Sequence, residues 1–248
     1  MDAGASGIAL DAASAVEFMR EALIKISEDE IARIATEVED KRSRVAPMLA
    51  REALERAGPV ELRALLEGSF ATRRRAPAIL EGTGGDALRG ALLNLLHGSD
   101  DVEDRFTRFD DGLSGVRASV RRELGSELLR MLDPDRYWLW ARWQWNPDTE
   151  TGALPLVLMG DCDLHGDSAG EIYGKVGLAT HTVLRMADEL GFHRMRASVF
   201  AVDVYLGGVY GVYLYTVTRM RMTQEFNRVI PQLPELLRRL FGVQHREV

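Results

Sequence analysis

All four tryptophans of this chain fall within eight residues, at positions 138, 140, 143 and 145. They belong to an aromatic run (137–145). A stretch with the turn-forming residues Pro, Asp and Gly follows (146–152), and then a second apolar run (153–159). Aromatic residues are frequent in strands because their flat rings pack well on a pleated surface. Two apolar runs joined by turn residues are typical of a β-hairpin. The sequence therefore predicts an antiparallel β-hairpin over 137–159.

Most of the remaining chain has helical patterns. A capping box at Ser27–Glu30 precedes apolar residues at helical spacing, and the Asp-Pro-Asp sequence at 133–135 ends the helical region. Residues 198–218 fit either a hairpin with a Gly-Gly turn or a buried helix, and a strand is favoured at their start. Residues 231–242 form an amphipathic helix pattern.

These patterns predict an α+β fold that is predominantly α-helical. A flexible N-terminal tail (1–13) precedes a helical region (14–136), which packs together with an α+β region (137–248) that holds the Trp-rich hairpin and long C-terminal helices.

Composition narrows the protein class. The chain has 248 residues, a net charge of −7 and a single cysteine, Cys162, so no intramolecular disulfide is possible. This cysteine content and the absence of a secretory-signal pattern favour the cytoplasm. The apolar stretch 197–218 contains one charge, Asp203, with glycines and tyrosines, which favours a buried core element over a membrane span. Asp203 itself is a candidate buried carboxylate.

The predicted hairpin suggests the first function. Trp138, Trp140 and Arg142 would lie on one face of the strand, and Trp143 and Trp145 on the other. A small α+β unit cannot easily cover both faces, and Trp and Arg are common in interface hot spots. No Gly-x-Ser-x-Gly nucleophile motif occurs. We therefore expect a non-enzymatic accessory protein that binds a protein partner or itself through these residues and its apolar C-terminal region.

A second function, from another class, is association with nucleic acid. The Leu113-Ser-Gly-Val116 turn between two predicted helices resembles half of a helix-hairpin-helix, a module whose glycine turn offers backbone amides to a DNA phosphate. The second glycine typical of that family is replaced by Arg117. A net negative charge argues against strong phosphate binding. The candidate phosphate contacts are Arg73, Arg74, Arg75, Arg117, Arg121 and Arg122.

A third function is a metal-dependent enzyme centred on the 161–171 loop. Its alternating ligands are Asp161, Asp163, His165 and Asp167. The pattern is similar to the start of a calcium loop, but the closing glutamate, Glu171, stands at position 11 instead of 12. Acidic residues before a helix are also favoured by the helix dipole, without any metal. No cofactor is predicted, and a divalent metal remains an alternative.

Overall fold

The computed structural model describes residues 8–187, 198–221 and 231–243. These residues contain twelve α-helices and a short 3₁₀ helix at Ala46–Leu49. The α-helices are α1 (Ala12–Leu23), α2 (Glu28–Val45), α3 (Arg51–Arg56), α4 (Pro59–Gly68), α5 (Ala76–Thr83), α6 (Gly85–His97), α7 (Val102–Gly112), α8 (Ala118–Leu132), α9 (Leu154–Val157), α10 (Ala169–Ala187), α11 (Ala201–Arg221) and α12 (Leu233–Phe241). The prediction of a predominantly helical protein is confirmed.

The predicted β-hairpin at 137–159 is wrong. The described part of the chain contains no β-strand, only isolated bridges that pair Leu10 with Leu158 and Asn146 with Thr151. The second bridge closes the predicted turn, but residues 137–145 are irregular, and the second apolar run contains the short helix α9.

The aromatic segment (137–145) needs no partner strand because other groups satisfy its backbone. Three of its carbonyls accept hydrogen bonds from helix side chains: Tyr137 from Arg130 (2.9 Å), Trp138 from Tyr173 (3.2 Å) and Trp140 from Ser126 (3.0 Å). The amides of Ala153 and Leu154 donate to the carbonyls of Trp143 (2.9 Å) and Gln144 (3.0 Å). Aromatic content alone does not reveal such side-chain partners.

The favoured strand at the start of 198–218 is also wrong, because α11 covers Ala201–Arg221. Two glycines of α11 allow close packing between this helix and α12. A Cβ added at Gly207 would come within 2.8 Å of Leu237, and one at Gly211 within 2.3 Å of Leu233, so both glycines let α12 approach α11 closely. None of the helices in the described ranges combines the length and apolar character that a membrane crossing requires.

The chain divides into two compact units. The first comprises residues 1–38, 143–164 and 178–248, and the second comprises 39–142 and 165–177. The two regions predicted from the sequence, 14–136 and 137–248, each contribute residues to both units.

In the first unit, α1 packs against α9 and α11, and α11 packs against α12. Asp11 caps α1 by accepting from the Ser14 amide at 3.1 Å, so the helix begins inside the predicted tail. Residues 1–7 of that tail lie outside the described residues. In the second unit, α3 to α8 pack around buried leucines and phenylalanines, and the ring of Phe106 stacks on Tyr173 at 4.4 Å.

Candidate functional site

Three of the four predicted anchor tryptophans are buried. Trp140, Trp143 and Trp145 are 3%, 6% and 4% exposed, whereas Trp138 is half-buried and Arg142 is exposed. The premise that the domain cannot cover these rings does not hold for the three buried ones. A partner-binding role for the four tryptophans and Arg142 stays a prediction. The exposed aromatic surface that suggested this role is not present at Trp140, Trp143 and Trp145.

The buried rings pack as core residues within their own units. In the second unit, Trp140 lies 5.9 Å from the Phe106 ring, between centroids, and the Arg122 guanidinium lies 5.6 Å from its ring centroid. In the first unit, Trp143 meets Phe241 edge to face at 5.6 Å. Such aromatic contacts add stability beyond the area that they bury.

The two helices expected around the Leu113–Val116 turn are α7 and α8, and both belong to the second unit. Leu113 is buried and anchors the turn, while Ser114 and Gly115 are exposed. The turn is closed by two backbone hydrogen bonds, from Ser114 to Asp111 (3.2 Å) and from Val116 to Leu113 (2.8 Å). The turn therefore presents a short, well-defined loop to solvent.

The start of α8 has unused hydrogen-bond donors. Arg117 is its N-cap residue and makes no side-chain capping bond. Among the described residues, the backbone N–H groups of Arg117, Ala118 and Ser119 have no protein acceptor, and no acidic residue lies in the first turn. The exposed Arg117 guanidinium also has no ion-pair partner in the described part of the chain. A positive side chain thus stands beside amides that point out of the helix.

The other two hairpin arginines are held by a buried acid. Arg121 donates to the Asp110 carboxylate at 2.7 and 3.0 Å, and Arg122 donates to the same carboxylate at 3.1 Å from each of two nitrogens. Two cations share one anion, so this triad keeps a net charge of about +1 next to the turn. Arg121 and Arg122 of α8 therefore link this helix to Asp110 of α7, whereas Arg117 does not bind Asp110.

A second basic group, here named the basic island, consists of Arg73, Arg74 and Arg75 and belongs to the same unit. The Arg73 guanidinium stacks on the half-exposed Phe70 ring at 5.0 Å, while Arg74 and Arg75 are exposed and have no ion pair in the described residues. Four residues before Arg73, the buried Ser69 donates to Glu127 of α8.

A polar cluster that the sequence did not reveal connects α8 with Lys41 of α2 and with Ser69, the residue after α4. Lys41 and Glu127 are both buried and form an ion pair at 2.6 Å, with Ser69 donating to the second carboxylate oxygen. Glu123 lies one turn earlier, and the Arg142 backbone N–H donates to its carboxylate. Burial and the nearby Glu127 carboxylate raise the pKa of Glu123 to about 7. The only sequence signal was two acids four residues apart among the leucines of α8.

The predicted metal ligands Asp161, Asp163, His165 and Asp167 are all exposed. Glu171 is already engaged: its carboxylate accepts from the Asp167 amide at 2.8 Å and pairs with Lys175 at 3.1 Å, and its own amide donates to Ser168 at 3.1 Å. Within residues 8–187, 198–221 and 231–243, no three His, Cys, Asp or Glu side chains converge as a metal-binding group. The metal site stays a prediction, and no ligand set supports it in the described residues.

Asp203 is buried, as expected. It lies on the helix α11 and not on the strand that the sequence favoured.

Comparison with known proteins does not assign a function. The chain matches no protein-family model, and no similar curated protein or solved structure was found.

Proposed function

We propose that this protein associates with nucleic acid and contacts a backbone phosphate at the turn between α7 and α8. The observation that supports this most is the start of α8, where the N–H groups of Arg117, Ala118 and Ser119 lack protein acceptors beside the unpaired Arg117 guanidinium. The helical hairpin around this turn is the arrangement that the Leu113–Val116 resemblance implies.

The chemistry of this turn suits an oxyanion. Free amides at a helix start donate hydrogen bonds to a phosphate, and the helix dipole favours negative charge at the same end. Gly115 is exposed and a Cβ added there would meet nothing within 4 Å, so a ligand has room to approach the backbone. Arg117 adds a charge-assisted hydrogen bond to the same anion.

The basic island extends this surface. In this proposal, further phosphates of the same nucleic acid contact the exposed Arg74 and Arg75, and a base lies near Phe70. Such basic surfaces with an aromatic residue suit nucleic-acid backbones without base-specific contacts.

The net charge of −7 limits the affinity. A surface with three free arginines neutralises about three phosphates, which predicts a logarithmic salt slope near −3 for duplex DNA. Binding is therefore expected to be weak, sensitive to salt and independent of sequence, as for non-specific complexes.

The first prediction concerns α8. Replacing Ala118 by Glu is expected to weaken binding of a fluorescein-labelled DNA duplex of about 20 base pairs by about tenfold or more at about 50 mM salt. The acidic side chain suits the helix dipole, so the fold is retained, but it repels the phosphate. Fluorescence anisotropy measures the binding, and Arg117→Ala is expected to reduce the salt slope by about 1.

Ala87→Glu is the matched control. Ala87 is exposed in the first turn of α6, so this variant makes the same charge change at another helix start in the second unit. If both variants weaken binding equally, only net charge matters and the turn is not the site. If wild-type protein binds neither duplex nor single-stranded DNA at low salt, the proposed function is wrong.

A further inference from the structure

An aromatic ring beside the basic island is open to solvent. Phe70 is 38% exposed, and the Arg73 guanidinium lies over its ring at 5.0 Å from the centroid. A ring and a guanidinium in this arrangement combine a flat face with a positive charge. Arg74 and Arg75 are exposed, and neither forms an ion pair within the described ranges. The charge at this surface is therefore available to an anionic ligand that also has flat groups.

Two buried residues anchor the segment that carries these side chains. Ser69 donates to Glu127 of α8, and the Thr72 hydroxyl donates to the Leu66 carbonyl of α4. The Arg73 amide donates to the Ser69 carbonyl at 3.0 Å, which closes a turn of the backbone between them. The backbone of this segment is thus already ordered, and a ligand that binds to it pays less conformational entropy.

We propose that Phe70 is a stacking platform for an unpaired base, so that the protein prefers single-stranded nucleic acid to duplex. This inference rests on the proposed function and narrows its substrate class. The base lies against the exposed surface of the Phe70–Arg73 pair, and the phosphates on either side of it contact Arg74 and Arg75. Stacking uses the flat face that every base has, so the preference concerns the single strand and not its sequence.

Only an unpaired base can reach such a platform. In a duplex, each base is stacked between its neighbours, and turning it out of the helix costs the energy of unstacking and unpairing. In a single strand, a base turns outward more easily, and stacking on an aromatic ring strengthens binding by about tenfold or more. Phosphate contacts alone do not favour the single strand, because the duplex has the higher charge density. A preference for the single strand is therefore the signature of stacking.

The test compares a fluorescein-labelled strand of about 12 thymidines with a duplex of the same length at about 50 mM salt, by fluorescence anisotropy. Wild-type protein is expected to bind the single strand about tenfold more tightly. Phe70→Leu keeps the charge and an apolar side chain but removes the flat ring. It is expected to abolish most of this preference and to leave the duplex affinity unchanged. Phe70→Trp restores a flat ring and is expected to retain the preference.

Two controls separate the base from the phosphates and the ring from apolar surface in general. An abasic single strand of the same length keeps the phosphates and lacks the bases, so wild-type protein and Phe70→Leu are expected to bind it equally. Val60 is an exposed apolar residue of α4 in the same unit, and Val60→Ala is expected to change none of these affinities.

The platform is overturned if wild-type protein binds the single strand no more tightly than the duplex, or if Phe70→Leu does not change the affinity for the single strand. Equal weakening of thymidine and abasic strands by Phe70→Leu also overturns it, since the base then plays no part. The two proposals fail separately. If Ala118→Glu weakens binding and Phe70→Leu does not, the phosphate site at α8 stands and the platform is wrong. If only Phe70→Leu weakens binding, the platform stands and the α8 site is wrong.

Discussion

Replacing Lys41 by methionine is expected to lower the free energy of unfolding by about 3–5 kcal/mol. Lys41 and Glu127 are both buried, and their charged atoms lie 2.6 Å apart. Without the ammonium group, the Glu127 carboxylate keeps only the Ser69 hydroxyl as a partner among the described residues, and an unpaired buried charge is costly. Urea unfolding followed by circular dichroism measures the change.

Two further variants test whether the loss of stability comes from leaving a buried charge unpaired. The double variant Lys41→Met/Glu127→Met is expected to recover much of the lost stability, because an apolar pair of similar volume can replace a buried ion pair. Arg63→Ala, which removes the exposed pair with Glu67 on α4, is expected to cost less than about 1 kcal/mol. If Lys41→Met lowers the free energy of unfolding as little as Arg63→Ala does, the Lys41–Glu127 pair is exposed to solvent and the prediction is wrong.

Replacing Trp140 by alanine is expected to lower the free energy of unfolding by about 3–5 kcal/mol, because the ring is 3% exposed and packs on Phe106. Trp140→Phe keeps most of the packing and is expected to cost less. The same urea experiment measures both variants.

This prediction also separates the two interpretations of the tryptophans. An exposed docking residue would be replaceable with little loss of stability, and the variant would instead lose self-association or partner binding. If Trp140→Ala unfolds at the wild-type urea concentration, then burial of this ring in the second unit is wrong and the docking hypothesis regains its motive.

Much of the helical architecture could be predicted from local patterns. At Ser27 the hydroxyl accepts from the Glu30 amide at 3.2 Å, which is one of the two hydrogen bonds of the predicted capping box, and α8 ends at Leu132, just before the Asp-Pro-Asp sequence. These signals act within one turn of helix, so the sequence contains all the information that they need.

The aromatic segment could not be predicted in the same way. Its backbone is satisfied by Arg130, Ser126 and Tyr173, whose side chains reach it from α8 and α10. Local propensity for strand was overridden by these tertiary contacts. The same limit applies to α11, where a Gly-Gly doublet suited to a turn instead permits close packing with α12.

The candidate site shows the same division between local and long-range information. The Leu113–Val116 turn and Arg117 were found from adjacent residues. Neither the buried Asp110 that holds Arg121 and Arg122 nor the pairing of Lys41 with Glu127, 86 residues away, has a local signature. Such pairs depend on how the helices pack, which no single window of sequence specifies.

The most direct test of the proposed function is a titration of ¹⁵N-labelled protein with short duplex DNA at low salt, followed through its amide resonances. Phosphate binding at the start of α8 predicts the largest shifts at the amides of Gly115, Arg117, Ala118 and Ser119, with smaller shifts at the basic island and a loss of all of them at high salt. Shifts that leave these four amides unchanged, or no shifts at saturating DNA, would contradict the account.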